Sequence, residues 1–169
     1  MRSAHVTLGV PGVSPQAAFA RVRDFAAYPD LVDVVRSVTV RHTSDTDESS
    51  DWEVYFRNGI LRWTETDRFD PAALTIVFEQ IDGDFEEFSG SWVITADGDG
   101  CRIAFDTAFD FGIPSLAGIL DPVAERVFKE TIARVVRGLF PNAEVIGDEA
   151  VARALAAVLA AAAPVGGAR

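Results

Sequence analysis

Asn58-Gly59-Ile60-Leu61-Arg62-Trp63-Thr64-Glu65-Thr66-Asp67-Arg68-Phe69-Asp70-Pro71-Ala72-Ala73-Leu74-Thr75-Ile76-Val77-Phe78-Glu79-Gln80-Ile81-Asp82-Gly83-Asp84 holds the reading on which the fold turns. Two β-rich runs are bounded by Asn58-Gly59, Asp70-Pro71 and Asp82-Gly83-Asp84, all turn-forming combinations. Side chains of a strand alternate faces, so Arg62, Thr64, Thr66 and Arg68 share one face. Leu61, Trp63, Glu65, Asp67 and Phe69 share the other. If Asp70–Ala73 is the turn, Phe69 pairs with Leu74 and Thr64 faces Glu79, which places Glu79 on the Arg68 face.

The same period of two extends outward in both directions. Strands are expected at 35–43, 51–58, 60–69, 73–81, 85–96 and 101–111, with the acidic run Ser44–Ser50 as a solvated loop. Connections this short make successive strands antiparallel. Upstream, Ala4–Val10 alternates as a further strand, and Ser14-Pro15 opens a helix with Ala18, Phe19, Val22, Phe25 and Ala26 on one face. Tyr28-Pro29 breaks that helix and a second short one follows. Downstream of Pro114, apolar residues recur at helical spacing to Leu139, a helix of about 23 residues or roughly 35 Å. The expected fold is α+β: a seven-stranded curved antiparallel sheet gripping the long C-terminal helix, with two short helices between strands 1 and 2. Such a sheet leaves a pocket against the helix, expected in the small-ligand range of roughly 300–1,000 Å³. Residues 1–147 form the domain; 148–169 read as an Ala-rich appendix, helical or disordered.

Composition excludes several functions. The 169 residues carry 15 basic and 26 acidic side chains, a formal charge of −11, which disfavours nucleic acid and ribosome surfaces as partners. Lys129 is the only lysine, so there is no polybasic membrane patch. No apolar run reaches the roughly 18–20 residues of a membrane span, and no secretory leader opens the chain, so a cytoplasmic location is expected. One cysteine, Cys101, and two histidines, His5 and His42, give neither a disulfide nor a metal-ligand set, and no cofactor motif occurs.

The element order, together with Tyr28-Pro29-Asp30-Leu31, Arg62–Pro71, Phe78–Phe85, Gly90-Ser91-Trp92 and Phe109-Asp110-Phe111, resembles the START-like (SRPBCC) superfamily over about residues 3–140. That superfamily has the helix-grip fold and includes polyketide aromatase/cyclases and coenzyme Q-binding proteins. The segment Trp63–Pro71 is most similar to bacterial aromatic-polyketide cyclases. The resemblance implies that Arg68 points into the pocket, with Thr66 as its hydroxyl neighbour and Tyr28 as the pocket aromatic. The chain departs from the tetracenomycin-type pattern at Arg62 and Thr64, where tryptophans are usual. It departs again at Glu79, in place of a second arginine, and at Val35, in place of a tyrosine.

Two assignments of the strand faces remain open at this point. Hydrophobicity alone buries Trp63, Phe69, Leu74, Ile76 and Phe78, while the resemblance turns Arg68 inward. With Arg68 inside, the candidate catalytic residues are Arg68, Thr66 and Glu79: the guanidinium stabilises an enolate and the other two move protons. The candidate substrate-binding residues are Tyr28, Val32, Arg62, Thr64, Phe88, Trp92, Phe105, Thr107 and Phe128. The aromatics among them suit a flat ligand or an ordinary core. The expected function is a polyketide aromatase/cyclase that performs aldol closure and dehydration on a poly-β-ketone, delivered by an acyl carrier protein. The alternative is a non-catalytic binder of a quinone, lipid or polyketide. Ionisable groups converging on one pocket wall would favour catalysis, and an apolar wall would favour binding.

Overall fold

The computed structural model describes residues 1–162. Strand β1 (Arg2–Val10) leads to α1 (Pro15–Val22), a 3₁₀ turn at Phe25–Ala27 and the single-turn α2 (Tyr28–Leu31). Six strands follow: β2 (Val35–His42), β3 (Asp47–Phe56), β4 (Gly59–Asp70), β5 (Thr75–Gly83), β6 (Glu87–Asp97) and β7 (Gly100–Asp110). The long helix α3 (Ala117–Leu139), the short β8 (Glu144–Ile146) and α4 (Glu149–Ala162) complete the described chain. All neighbouring strands are antiparallel, in the order β2-β3-β4-β5-β6-β7-β1-β8.

The fold is the expected α+β helix grip, with eight strands instead of seven. The additional strand, β8, pairs three residues with the free edge of β1. Its three residues are too few to show an alternating pattern in the sequence. The acidic run is not wholly a loop, because β3 begins at Asp47 and buries Glu48 and Ser50 on the inner face. The β4–β5 register also differs from the expected one. Phe69 pairs with Ile76 and Thr66 with Glu79, because Asp70 belongs to the strand and Leu74, at φ +56°, to the turn. A bulge between Thr64 and Glu65 leaves Ile81 unmatched and bends the pair.

Each element is formed for a readable local reason. Ser14 caps α1 through Ala17 N at 3.1 Å, with Pro15 at the first helical position. Helix α3 turns Ala124, Phe128, Thr131, Val135 and Leu139 to the interior, and Phe128 stacks against Phe88 at 5.5 Å. Gly90 permits the close packing beneath: a Cβ there would overlap the Asp106 carbonyl oxygen and the Phe78 ring. The Ala-rich segment 149–162 is a docked helix, with Val151 and Leu155 buried and Asp148 capping Val151 N. The Pro164–Arg169 finish lies outside the described residues.

Candidate functional site: an aromatic cavity with one buried acid

The concave face of the sheet and α3 enclose a cavity lined by Phe25, Tyr28, Val35, Trp52, Val54, Trp63, Glu65, Phe78, Phe88, Trp92, Phe105, Phe128, Thr131, Ile132 and Val135. Its volume is about 50 Å³, room for a few water molecules and well below the expected ligand-sized pocket. The reason is packing. Trp52 and Trp63 lie parallel with centroids 5.8 Å apart, Phe78 stacks on Phe105, and Trp92 meets Phe105 edge-on. Tyr28 closes one end, edge-on to Trp52 and Trp92, and its hydroxyl donates to Val22 O at 2.6 Å. Burial raises that phenol well above its ordinary pKa and keeps it protonated.

Strand β4 supplies the cavity's acid. Its inner face carries Leu61, Trp63, Glu65, Asp67 and Phe69, all buried. Glu65, 3% exposed, accepts a hydrogen bond from Trp63 Nε1 at 2.7 Å. Asp67, 1% exposed, accepts from Ser50 Oγ at 2.6 Å, and Ser50 accepts from Trp52 Nε1 at 2.8 Å. Burial and the neighbouring Asp67 carboxylate push the Glu65 pKa far up, and the two carboxyls titrate as a pair. Burial also raises Asp67, against the opposing effect of the adjacent Glu65 carboxyl and of the hydrogen bond from Ser50. Glu48, likewise raised by burial, lies behind them with His42 Nδ1 at 3.3 Å.

The structure places the sequence-predicted residues in three groups. Tyr28, Phe88, Trp92, Phe105 and Phe128 line the cavity. Val32 and Thr107 are buried outside the lining, with Thr107 Oγ1 donating to Ser89 O at 2.8 Å. Arg62, Thr64, Thr66, Arg68 and Glu79 sit on the convex face. The expectation that Arg68 points into the pocket is therefore corrected: its side chain is 78% exposed and its Nε donates to Asp47 Oδ1 at 3.1 Å. Arg62 pairs with Glu53 at 2.7 Å, Thr64 donates to Asp51 at 2.6 Å, and Thr66 lies beside the Glu79 carbonyl. The physical cause is strand parity. The pleat cannot turn Arg68 inward without turning Trp63 and Phe69 out, and their apolar area decides the matter.

Glu65, Asp67, Ser50, Trp52, Trp63, Phe25 and Phe78 are site residues that the candidate set omits. The alternation in Leu61–Phe69 already carried the signal for Trp63, Glu65 and Asp67. Two carboxylates on one face are costly to bury, and the donors Trp63 Nε1 and Ser50 Oγ lower that cost.

The polyketide cyclase / dehydrase and lipid transport family matches over residues 11–136, and the chain belongs to that family. No curated protein sequence matches it significantly. Among solved structures it is similar to TTHA0849 from Thermus thermophilus, with TM-score 0.74 and 21% identity over 95% of this chain and 99% of that one. It is also similar to the ZhuI aromatase/cyclase from Streptomyces sp. R1128, with TM-score 0.64 and 17% identity over 82% and 93%. A START superfamily protein from Mycobacterium smegmatis gives TM-score 0.66 and 17% identity over 82% and 94%. These likenesses establish a common fold. No helix among the described residues is long and apolar enough to cross a membrane.

Proposed function

We propose that the chain binds a small, largely aromatic ligand between the sheet and α3. One observation carries the reading: the interior is walled by stacked aromatic rings, while Arg68, Thr66 and Glu79 face away from it. Apolar walls with few polar groups are the ordinary make-up of a small-molecule site. The present volume is smaller than the ~150 Å³ apolar cavity known to admit benzene in another protein. Even one ring therefore shifts the Trp and Phe walls, and a polycycle would have to part α3 from the sheet.

All three tryptophans, Trp52, Trp63 and Trp92, line the cavity, so their fluorescence reports occupancy directly. Titration with toluene, a bare ring, is expected to give saturable quenching. Absence of quenching by toluene and by every single-ring analogue would overturn the binding reading.

A second reading, aldol cyclisation and dehydration of a poly-β-ketone presented by an acyl carrier protein, is favoured by the family and by Glu65. A buried acid that keeps its proton can protonate a departing hydroxyl. Among the described residues the cavity lining holds no guanidinium for an enolate, so on this reading Glu65, and not Arg68, meets the substrate. Any part played by Arg68, Thr66 and Glu79 belongs to the outer surface. Adding the protein to a minimal polyketide synthase is expected to change the product profile if this reading holds. An unchanged profile would leave binding as the function.

A further inference from the structure

We propose that the groove between α2, the end of α3 and α4 is a second binding site, one that takes a short-chain amphiphile with an anionic head. It lies outside the aromatic cavity and does not depend on the binding reading above.

The groove has the size and the lining for such a ligand. Its volume is about 390 Å³, within the small-ligand range, against about 50 Å³ for the cavity on the sheet side of α3. Leu31, Val32, Leu155, Val158 and Leu159 make its apolar surface. Gly138 keeps it open where α2 meets α3: a Cβ there would come within 3.3 Å of the Leu31 side chain, so Leu31 takes that place instead. From Leu155 to Ala162 the groove runs along roughly 10 Å of α4, enough for a short alkyl chain.

Charge sets the head group. The spacing of Arg134, Arg137 and Gly138 puts all three on one side of α3, and both guanidiniums line the groove. No Asp or Glu is among the described residues that line it, although the whole chain carries a formal charge of −11. Arg134 Nη2 donates to Asp33 Oδ1 at 2.9 Å, but the Asp33 side chain is 89% exposed, a weak and replaceable pair. Arg137 has no ion-pair partner among the described residues, and its one hydrogen bond is a long one, Nη1 to Ala143 O at 3.3 Å. Nor is it occupied in closing the helix end, where Phe140 N donates to Val136 O and Arg21 to Leu139 O. Two guanidiniums with donors to spare, beside an apolar trough, fit an oxyanion that accepts several hydrogen bonds at once. An ammonium head would meet like charge and no side-chain acceptor.

A carboxylate and a phosphate monoester share that chemistry, and the test separates them. The full chain is titrated with octanoate, octyl phosphate, octanol and octylammonium and followed by ¹H–¹⁵N NMR. Octanoate or octyl phosphate is expected to move the Nε–H signals of Arg134 and Arg137 and the backbone amides of Leu155–Leu159 in a saturable manner. The better of the two names the head and should bind at least about tenfold tighter than octanol, the value of a hydrogen bond to a charged group. Octylammonium should not bind, and the indole signals of Trp52, Trp63 and Trp92 should stay in place. Arg137→Gln should weaken the anion by about tenfold. Leu159→Glu, at a position already 38% exposed, should do the same by placing a carboxylate in the groove, and it serves if Arg137→Gln folds poorly. Octanol binding as tightly as both anions, octylammonium binding tightest, or no ligand moving the two arginines would overturn the proposal. So would indole shifts with the arginines unmoved, which would place the amphiphile inside. Toluene binding in the cavity is measured separately, so the two readings fail separately.

Discussion

Successive residues of β4 live in two different media. Trp63, Glu65, Asp67 and Phe69 face a stacked aromatic interior, and Arg62, Thr64, Thr66 and Arg68, one step along the same backbone, face water. Both faces carry carboxylates or their partners, but the physics differs. Outside, Asp47, Asp51 and Glu53 are held below their ordinary pKa by hydrogen bonds from Arg68, Arg41 and Arg62, and Asp51 falls to about 2. Inside, burial drives Glu65 and Asp67 in the opposite direction. An arginine is therefore most comfortable where it sits, on the convex face. The interior can hold acids only by keeping a proton. The acid that lines the cavity, Glu65, is one that sequence resemblance passes over.

The largest effect that would sharpen this contrast is on stability. Trp63→Ala removes a ring that packs on Trp52, Phe85 and Phe88 and should cost about 3–5 kcal/mol by urea denaturation. A loss below about 1 kcal/mol would break the claim that this face is the core.

Acid and base titration separates the two faces next. Glu65 has a folded pKa above its unfolded value, so the folded state binds more protons between the two. Its stabilising contribution is full below the unfolded pKa and is lost as pH rises through the folded one. The titratable groups facing it are Asp67, Glu48 and Tyr28, which carry no positive charge to offset the trend. Asp51 behaves oppositely: its contribution is present above the unfolded pKa and lost as pH falls through about 2. Glu65→Gln should flatten the decline of stability at rising pH, and Asp51→Asn the decline in acid, each measured by thermal melts across pH. Interchanged effects would refute the assignment of burial.

The smallest effect is expected at the residue the family resemblance singles out. Arg68→Ala breaks one exposed pair with Asp47 and should change stability by no more than about 0.5 kcal/mol, leaving toluene affinity unchanged. Loss of ligand affinity in Arg68→Ala would move the site to the convex face.

Most of the architecture was legible because the turns and periods are explicit. Asn58-Gly59 and the Asp/Gly clusters mark the hairpins, and the 23-residue apolar stripe marks α3. The candidate site was legible in its aromatics, since Phe88, Trp92, Phe105 and Phe128 alternate with or space themselves from other core residues. The orientation of β4 was harder to read. Trp63 and Phe69 favour one face, while Glu65 and Asp67 on that same face count against burying it. Only the spatial meeting of Glu65, Asp67, Ser50 and two indoles, contributed by β3 and β4, makes that burial tolerable. The β4–β5 register was missed for a related reason: a bulge at Glu65 and a positive φ at Leu74 have no pattern of their own in the sequence.

The central claim is that ligands enter the Glu65 side of β4 and not the Arg68 side, and ¹H–¹⁵N NMR tests it directly. The indole Nε1–H signals of Trp52, Trp63 and Trp92 report the interior, and the Arg68 Nε–H signal reports the convex face. On adding phenol, the Trp63 and Trp52 indole signals should shift in a saturable manner while Arg68 stays in place. Shifts confined to Arg68 and the backbone amides of Thr66 and Glu79, with the three indoles unmoved, would contradict the account.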